Sequence, residues 1–122
     1  MTVTRPVLVV DDDDGIRDSI DMTLSDEGYQ VLTATHGADA LTLVDQHLPS
    51  LILLDMRMPV MDGWQFARAY RQRPGPHAPI VVVTAAVEAA GRAAEIHADG
   101  VLPKPFRLAE LIEVVGRYVE HD

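Results

Sequence analysis

Residues 51–63 read LILLDMRMPVMDG, and the way this stretch breaks in the middle decides the fold. Leu51-Ile52-Leu53-Leu54 is apolar at every position, so it reads as a short strand buried on both faces; a strand with one wet face would alternate. The run stops on a carboxylate, Asp55. Pro59, Asp62 and Gly63 then supply the residues of a sharply turning loop. A buried strand that delivers an acid into such a loop presents that acid to something. Taken alone, Asp55 is more simply an aspartate leaving a strand for solvent, so its meaning depends on the rest of the chain.

The same grammar recurs on either side. Val7 to Val10 is a second wholly apolar run, and it ends on Asp11-Asp12-Asp13-Asp14. Ile16, Ile20 and Leu24 follow at helical spacing, with Gly28 placed to close that helix. Tyr29 to Ala34 mixes aromatic and β-branched residues and is predicted to be a strand. Ala38, Leu41, Val44 and Leu48 form the apolar stripe of a second helix, stopped by Pro49. Phe66, Ala67 and Tyr70 mark a third helix, which gives way to Arg73-Pro74-Gly75-Pro76. Ile80 to Val83 is another apolar strand, ended by Thr84. Residues 88–97 are alanine-rich and helical by propensity. Gly100-Val101-Leu102 is a short last strand, followed by Pro103-Lys104-Pro105. Leu108, Leu111, Ile112 and Val115 define a closing amphipathic helix. Five strands alternating with five helices make an α/β protein with a parallel sheet covered on both faces.

Composition bounds the function. The 122 residues suit one domain, 48% hydrophobic and 24% charged, with a formal net charge of -9. That charge opposes direct binding to nucleic acid or to an anionic membrane. The absence of cysteine excludes disulfides, thiolate metal sites and a Cys nucleophile. No apolar run approaches the ~20 residues of a membrane span, and the start MTVTRPVLVV lacks a signal peptide's apolar region. A cytoplasmic location is expected. His36, His47, His77, His97 and His121 show no ligand spacing and read as surface residues.

Ligands of parallel α/β sheets bind beyond the carboxyl ends of the strands, where strand order reverses. The polar residues gather at that edge: Asp11 and Asp12 after strand one, Asp55 after strand three, Thr84 after strand four, Lys104 after strand five. In the flavodoxin-like order 2-1-3-4-5, a three-layer sandwich, neighbouring strand ends lie ~5 Å apart and these groups converge. Crowded carboxylates repel, and a hard cation resolves this; Mg²⁺ suits few carboxylates plus water and phosphate oxygens. One carboxylate can then attack phosphorus and become an acyl phosphate. A metal, a fixed ammonium and a hydroxyl are the parts phosphoryl transfer needs. Asp13 and Asp14 read instead as acids favoured at a helix start. An EF-hand does not fit, because Gly15 at its sixth position would put Val10 at the first. No glycine-rich turn follows strand one, which excludes a dinucleotide site.

Together VLVVDDDDGIR, LILLDMRMPVMDG, VVVTA and LPKPF, in this order and spacing, resemble a bacterial two-component response-regulator receiver domain of the stand-alone chemotaxis type, over essentially the whole of 1–122. The resemblance implies that Asp55 is the phosphoacceptor, charged by a sensor histidine kinase or a histidine phosphotransfer protein. It implies that Asp12 binds Mg²⁺ directly and Asp11 largely through water, with Asp55 and the Arg57 backbone carbonyl as further ligands. Thr84 and Lys104 would contact the phosphoryl group, and the Lys104–Pro105 bond would be cis. The output would be a change in binding to a downstream protein, making this a signalling protein rather than an enzyme. Two positions depart from the family's pattern. Val101 stands where a Tyr or Phe usually turns inward on phosphorylation. Arg57 and Ala86 occupy positions that tune the access of water to the phosphoryl group. The alternatives are a receiver-like interaction module that is not phosphorylated and, with less support, a Mg²⁺-dependent phosphohydrolase with an Asp nucleophile. The latter family has a second acid two residues after the nucleophile, where this chain has Arg57.

Overall fold

The computed structural model describes residues 5–119. Along them run β1 (Val7–Val10), α1 (Asp14–Asp26), β2 (Val31–Ala34), α2 (Gly37–Gln46), β3 (Leu51–Leu54), α3 (Gly63–Gln72), β4 (Ile80–Ala85), α4 (Ala86–Glu95), β5 (Gly100–Lys104) and α5 (Leu108–Tyr118). All strand pairs are parallel, in the order β2-β1-β3-β4-β5. This is the predicted flavodoxin-like sandwich.

The apolar runs have a direct reason. Successive side chains of a strand point to opposite faces, and here each face carries a core. Val7, Val9, Leu51, Leu53, Val81 and Val83 pack with Ile20 and Leu24 of α1 and Leu111 and Val115 of α5. Leu8, Val10, Ile52, Leu54, Ile80 and Val82 pack on the other side with Ala40 of α2 and Phe66, Ala67 and Tyr70 of α3. Burying a Leu, Ile, Val or Phe side chain contributes about 1.5–3 kcal/mol relative to exposure. A polar residue on either face of these three strands would therefore cost twice, in lost burial and in an unpaired polar group.

The ends of the elements are set by caps. Asp13 caps α1, its carboxylate accepting from the Ile16 N–H at 3.0 Å. Asp62 and Gln65 form a reciprocal capping box at α3. Gly28 has φ +91°, and the Tyr29 N–H returns to the Leu24 carbonyl at 3.0 Å. That closure draws Tyr29 out of the predicted strand and into the core beside α1, so β2 begins only at Val31. Leu48 also departs from its predicted helical stripe. The helix ends at Gln46 because residues ahead of Pro49 are driven extended, and Leu48 is 47% exposed. Leu108 opens α5 but faces solvent, while Leu111 and Val115 carry the buried stripe. At β4 the strand continues past Thr84, because β5 pairs on through Thr84↔Pro103 and Ala85↔Lys104. The following helix starts at Ala86, earlier than the alanine-rich run suggests.

Candidate functional site

Register is what assembles the site. Val10 of β1 is the partner of Leu54 of β3, so the next residues, Asp11 and Asp55, leave adjacent strands side by side. The Asp55 N–H donates to the Val10 carbonyl at 2.9 Å, and the Asp11 N–H donates to Ala34 at 3.1 Å. Asp11 and Asp55 are buried, Asp12 is exposed, and all three present carboxylate oxygens within 4.8 Å of one another. Thr84 is buried on the neighbouring strand β4. Lys104 closes the group from the end of β5, its Nζ 2.9 Å from Asp11 and 3.6 Å from Asp55. The peptide that follows it, Lys104–Pro105, is cis, as the resemblance implies.

Electrostatics at this edge are unbalanced, with three acids facing one ammonium. Burial, and then the neighbouring charge of Asp11, push the Asp55 carboxyl up to about 6, against the pull of Lys104 and of the Arg57 and Met56 N–H groups that donate to it. Burial works against the charge on Lys104, but Asp11 and Asp55 together outweigh it and hold the ammonium above its ordinary value. Asp11 accepts from the Asp13 N–H at 2.9 Å as well as from Lys104. The exposed Asp14 pairs with Arg17, so Asp13 and Asp14 serve the start of α1, as read from the sequence.

Several residues matter here that sequence reasoning left without a role. Arg17 donates to the Asp11 carbonyl at 2.8 Å and so ties α1 to the acid's backbone. It lies inside the VLVVDDDDGIR piece, but nothing in a string shows what an arginine reaches. Met61 pins the loop after β3: its carbonyl accepts from the Gly37 N–H at 2.9 Å, and a Cβ on Gly37 would stand 2.6 Å from the Met61 side chain. The pinned loop forces Val60 to φ +70°, with the Met61 N–H closing onto Pro59 at 2.8 Å. This is the rare, strained form of a three-residue turn, in a β-branched residue that disfavours it. The Arg57 main chain is at the site, but its guanidinium is turned away to α4. There it makes two hydrogen bonds to Glu88, at 3.2 and 3.0 Å.

Residues 7–116 match the family model of the response regulator receiver domain. The chain belongs to that family. The receiver domain is 42% identical to the response regulator MprA of Mycobacterium sp. (strain KMS) over 108 residues, which are 87% of this chain and 46% of that protein. MprA of Mycobacterium avium (strain 104) is 41% identical over the same share, 87%, and 47% of its own length. The chain thus spans about half the length of the curated relatives it matches. Among solved structures, the chemotaxis response regulator CheY4 of Vibrio cholerae superimposes with a TM-score of 0.86 at 33% identity, covering 96% of this chain and all (100%) of that one. NtrX from Brucella abortus, solved in complex with ATP, gives a TM-score of 0.83 at 31% identity over 95% of this chain and 27% of that one. In this receiver domain the acid cluster suits a small hard cation: its donors are carboxylate oxygens, and their mutual repulsion is what a divalent charge would relieve. His36 caps α2 and His47, His77 and His97 are exposed, so none joins the site; His121 lies outside the described residues. No helix among the described residues is long and apolar enough to cross a membrane.

Proposed function

We propose that this receiver domain accepts a phosphoryl group on Asp55 from the phosphohistidine of a sensor histidine kinase or phosphotransfer protein, in a cytoplasmic two-component relay. The observation that carries the reading is the convergence of Asp11, Asp12 and Asp55 within 4.8 Å around a single lysine. In the transfer an Asp55 carboxylate oxygen forms the new O–P bond as the histidine N–P bond breaks, and the imidazole leaves with the electron pair. Asp55 is poised for this because the Met56 and Arg57 N–H groups hold its carboxylate. Lys104 places a fixed positive charge where phosphoryl oxygens would lie, and Thr84 offers a hydroxyl from the next strand. Asp12 directly, Asp11 through water and the Arg57 carbonyl would hold Mg²⁺. Bound there, the cation would neutralise both the acids and the incoming phosphoryl oxygens. The position two residues after Asp55, where phosphohydrolases with an Asp nucleophile carry a second acid, holds Arg57, which favours a signalling acceptor over a hydrolase.

With acetyl phosphate and Mg²⁺ the protein should gain one phosphoryl group by intact mass, and none when the metal is chelated. Asp12→Ala should weaken Mg²⁺ binding at least roughly tenfold by calorimetry and slow the labelling in step. Unchanged affinity in that variant, or labelling indifferent to metal, would remove the basis of the proposal.

The output is proposed to pass through the segment after Thr84. Phosphorylation shifts a conformational balance only through contacts that differ between the two states. Thr84 and Lys104 are the groups able to move toward a phosphoryl oxygen, and Ala85 and α4 follow Thr84 directly in the chain. Val87 in that segment is 96% exposed, available to a downstream protein. Val101 is too short to swing between a buried and an exposed site, as an aromatic would. Val101→Ala should therefore leave phosphorylation-dependent binding nearly intact. Chemical-shift mapping with beryllofluoride should show changes over residues 85–95. Shifts centred on Val101 and α5, with 85–90 silent, would count against this route.

A further inference from the structure

Arg57 serves the acid pocket with its backbone while its charged side chain is held elsewhere. Its N–H donates to Asp55, so the side chain starts beside three carboxylates whose ion-pair partner among the described residues is Lys104. Coulomb attraction alone would draw a long guanidinium over those acids. It lies instead on Glu88, in the first turn of α4, through paired hydrogen bonds of 3.2 and 3.0 Å. Glu88 is itself fixed. The N-terminal end of a helix favours an acid, and Arg92 stands one turn on, 3.6 Å from Glu88. Arg92 is held in turn by Glu95 at 2.8 Å and by the Trp64 ring, 5.2 Å from its guanidinium carbon. Trp64 donates to the same Glu95. The chain Trp64–Glu95–Arg92–Glu88 thus gives the Arg57 guanidinium a built seat away from the site.

We propose that Glu88 is a positioning residue that parks the Arg57 guanidinium on α4 and so keeps the acid pocket open to a divalent cation. Removing the carboxylate's charge releases a cation tethered at the pocket mouth, where it pairs with Asp12 and Asp55 and competes with the metal. This inference rests on the reading of the acid cluster as a Mg²⁺ site. An acid near a cation site favours the cation by direct attraction in any case; what is specific here is that the effect of Glu88 runs through Arg57.

The test is calorimetric Mg²⁺ titration of the wild-type protein, Glu88→Gln, Glu88→Asp and the double variant Arg57→Gln/Glu88→Gln. Exposed ion pairs of this kind contribute little to folding, so all four should fold. Glu88→Gln should weaken Mg²⁺ binding roughly tenfold, the size expected from one unscreened charge a few ångströms from the ion. Glu88→Asp, still anionic, should lose much less. Adding Arg57→Gln to Glu88→Gln should recover most of the loss, because the competing cation is gone. A Glu88→Gln variant with wild-type affinity overturns the inference. So does a double variant as weak as the single one, since Glu88 would then act without Arg57. A wild-type protein that binds no Mg²⁺ overturns the underlying reading of the site instead, which keeps the two failures apart.

Discussion

Asp55→Asn should abolish Mg²⁺-dependent labelling by acetyl phosphate and at the same time make the metal-free protein more stable. The loss follows because Asp55 is the proposed acceptor, buried at the end of β3 beside Asp11 and Lys104 with its carboxylate held by the Met56 and Arg57 N–H groups. The amide has no charged oxygen to attack phosphorus. The gain follows from linkage. Burial and Asp11 raise the Asp55 carboxyl from 3.8 to about 6 in the folded protein. Between those values the native state binds more protons than the unfolded chain, so stability falls as pH rises through this window. Below 3.8 the carboxyl is neutral in both states and the variant has no advantage; above about 6 the whole penalty is present. Its size is on the order of 1–3 kcal/mol, the upper end applying only without solvent screening. Urea titrations in chelator should therefore show Asp55→Asn matching wild type at the acidic end and exceeding it at neutral pH. Mg²⁺ should narrow the gap by stabilising wild type alone. Labelling of the variant at the wild-type rate would sink the acceptor assignment. A variant less stable than wild type at neutral pH would show that the acids are not in conflict.

Polar groups that end buried strands without serving a core make much of this site legible in sequence. The apolar runs Val7–Val10, Leu51–Leu54 and Ile80–Val83 admit one interpretation, a sheet buried on both faces, and each is followed by a polar group that no core needs. Elements that owe their place to periodicity were therefore readable, as were the residues at strand ends. What escaped was set by close approach and by reach. Tyr29 has the composition of a strand, yet the closure of α1 claims it. Leu48 continues a helical stripe that Pro49 does not allow to form. Glu88, Arg92 and Glu95 look like a solvated face of α4, and only their placement against Arg57 and Trp64 gives them a joint role. Arg57 was placed beside the pocket by its number, but the direction of a long side chain depends on a partner 31 positions away.

Gly63 shows the same limit and carries the second large effect. In sequence it reads as turn punctuation, a residue chosen for backbone freedom. In the structure it opens α3 directly after the Asp62 cap, with no positive φ to require it. The requirement is space. A Cβ there would stand 2.6 Å from Met56 Sδ, 2.7 Å from the Asp55 carbonyl oxygen and 2.8 Å from Met56 Cα. Two of these atoms are backbone, and Met56 is fully buried at 0% exposure, so its sulfur has nowhere to yield. The Gly63 N–H also donates to the Met56 carbonyl at 3.0 Å, which fixes the approach. Gly63→Ala must therefore push the start of α3 away from the Asp55–Met56 peptide, the unit that aims the acid and supplies a hydrogen bond to it. Overpacking of this kind costs about 1–3 kcal/mol where side chains can shift, and main-chain contacts put this site at the upper end. The urea midpoint should fall accordingly, and labelling should slow even under conditions where the variant remains folded, because the Met56 N–H no longer meets the Asp55 carboxylate. Gly63→Ala with an unchanged midpoint, or destabilised but labelled at the wild-type rate, would mean that α3 and the peptide beneath it move independently of the acid.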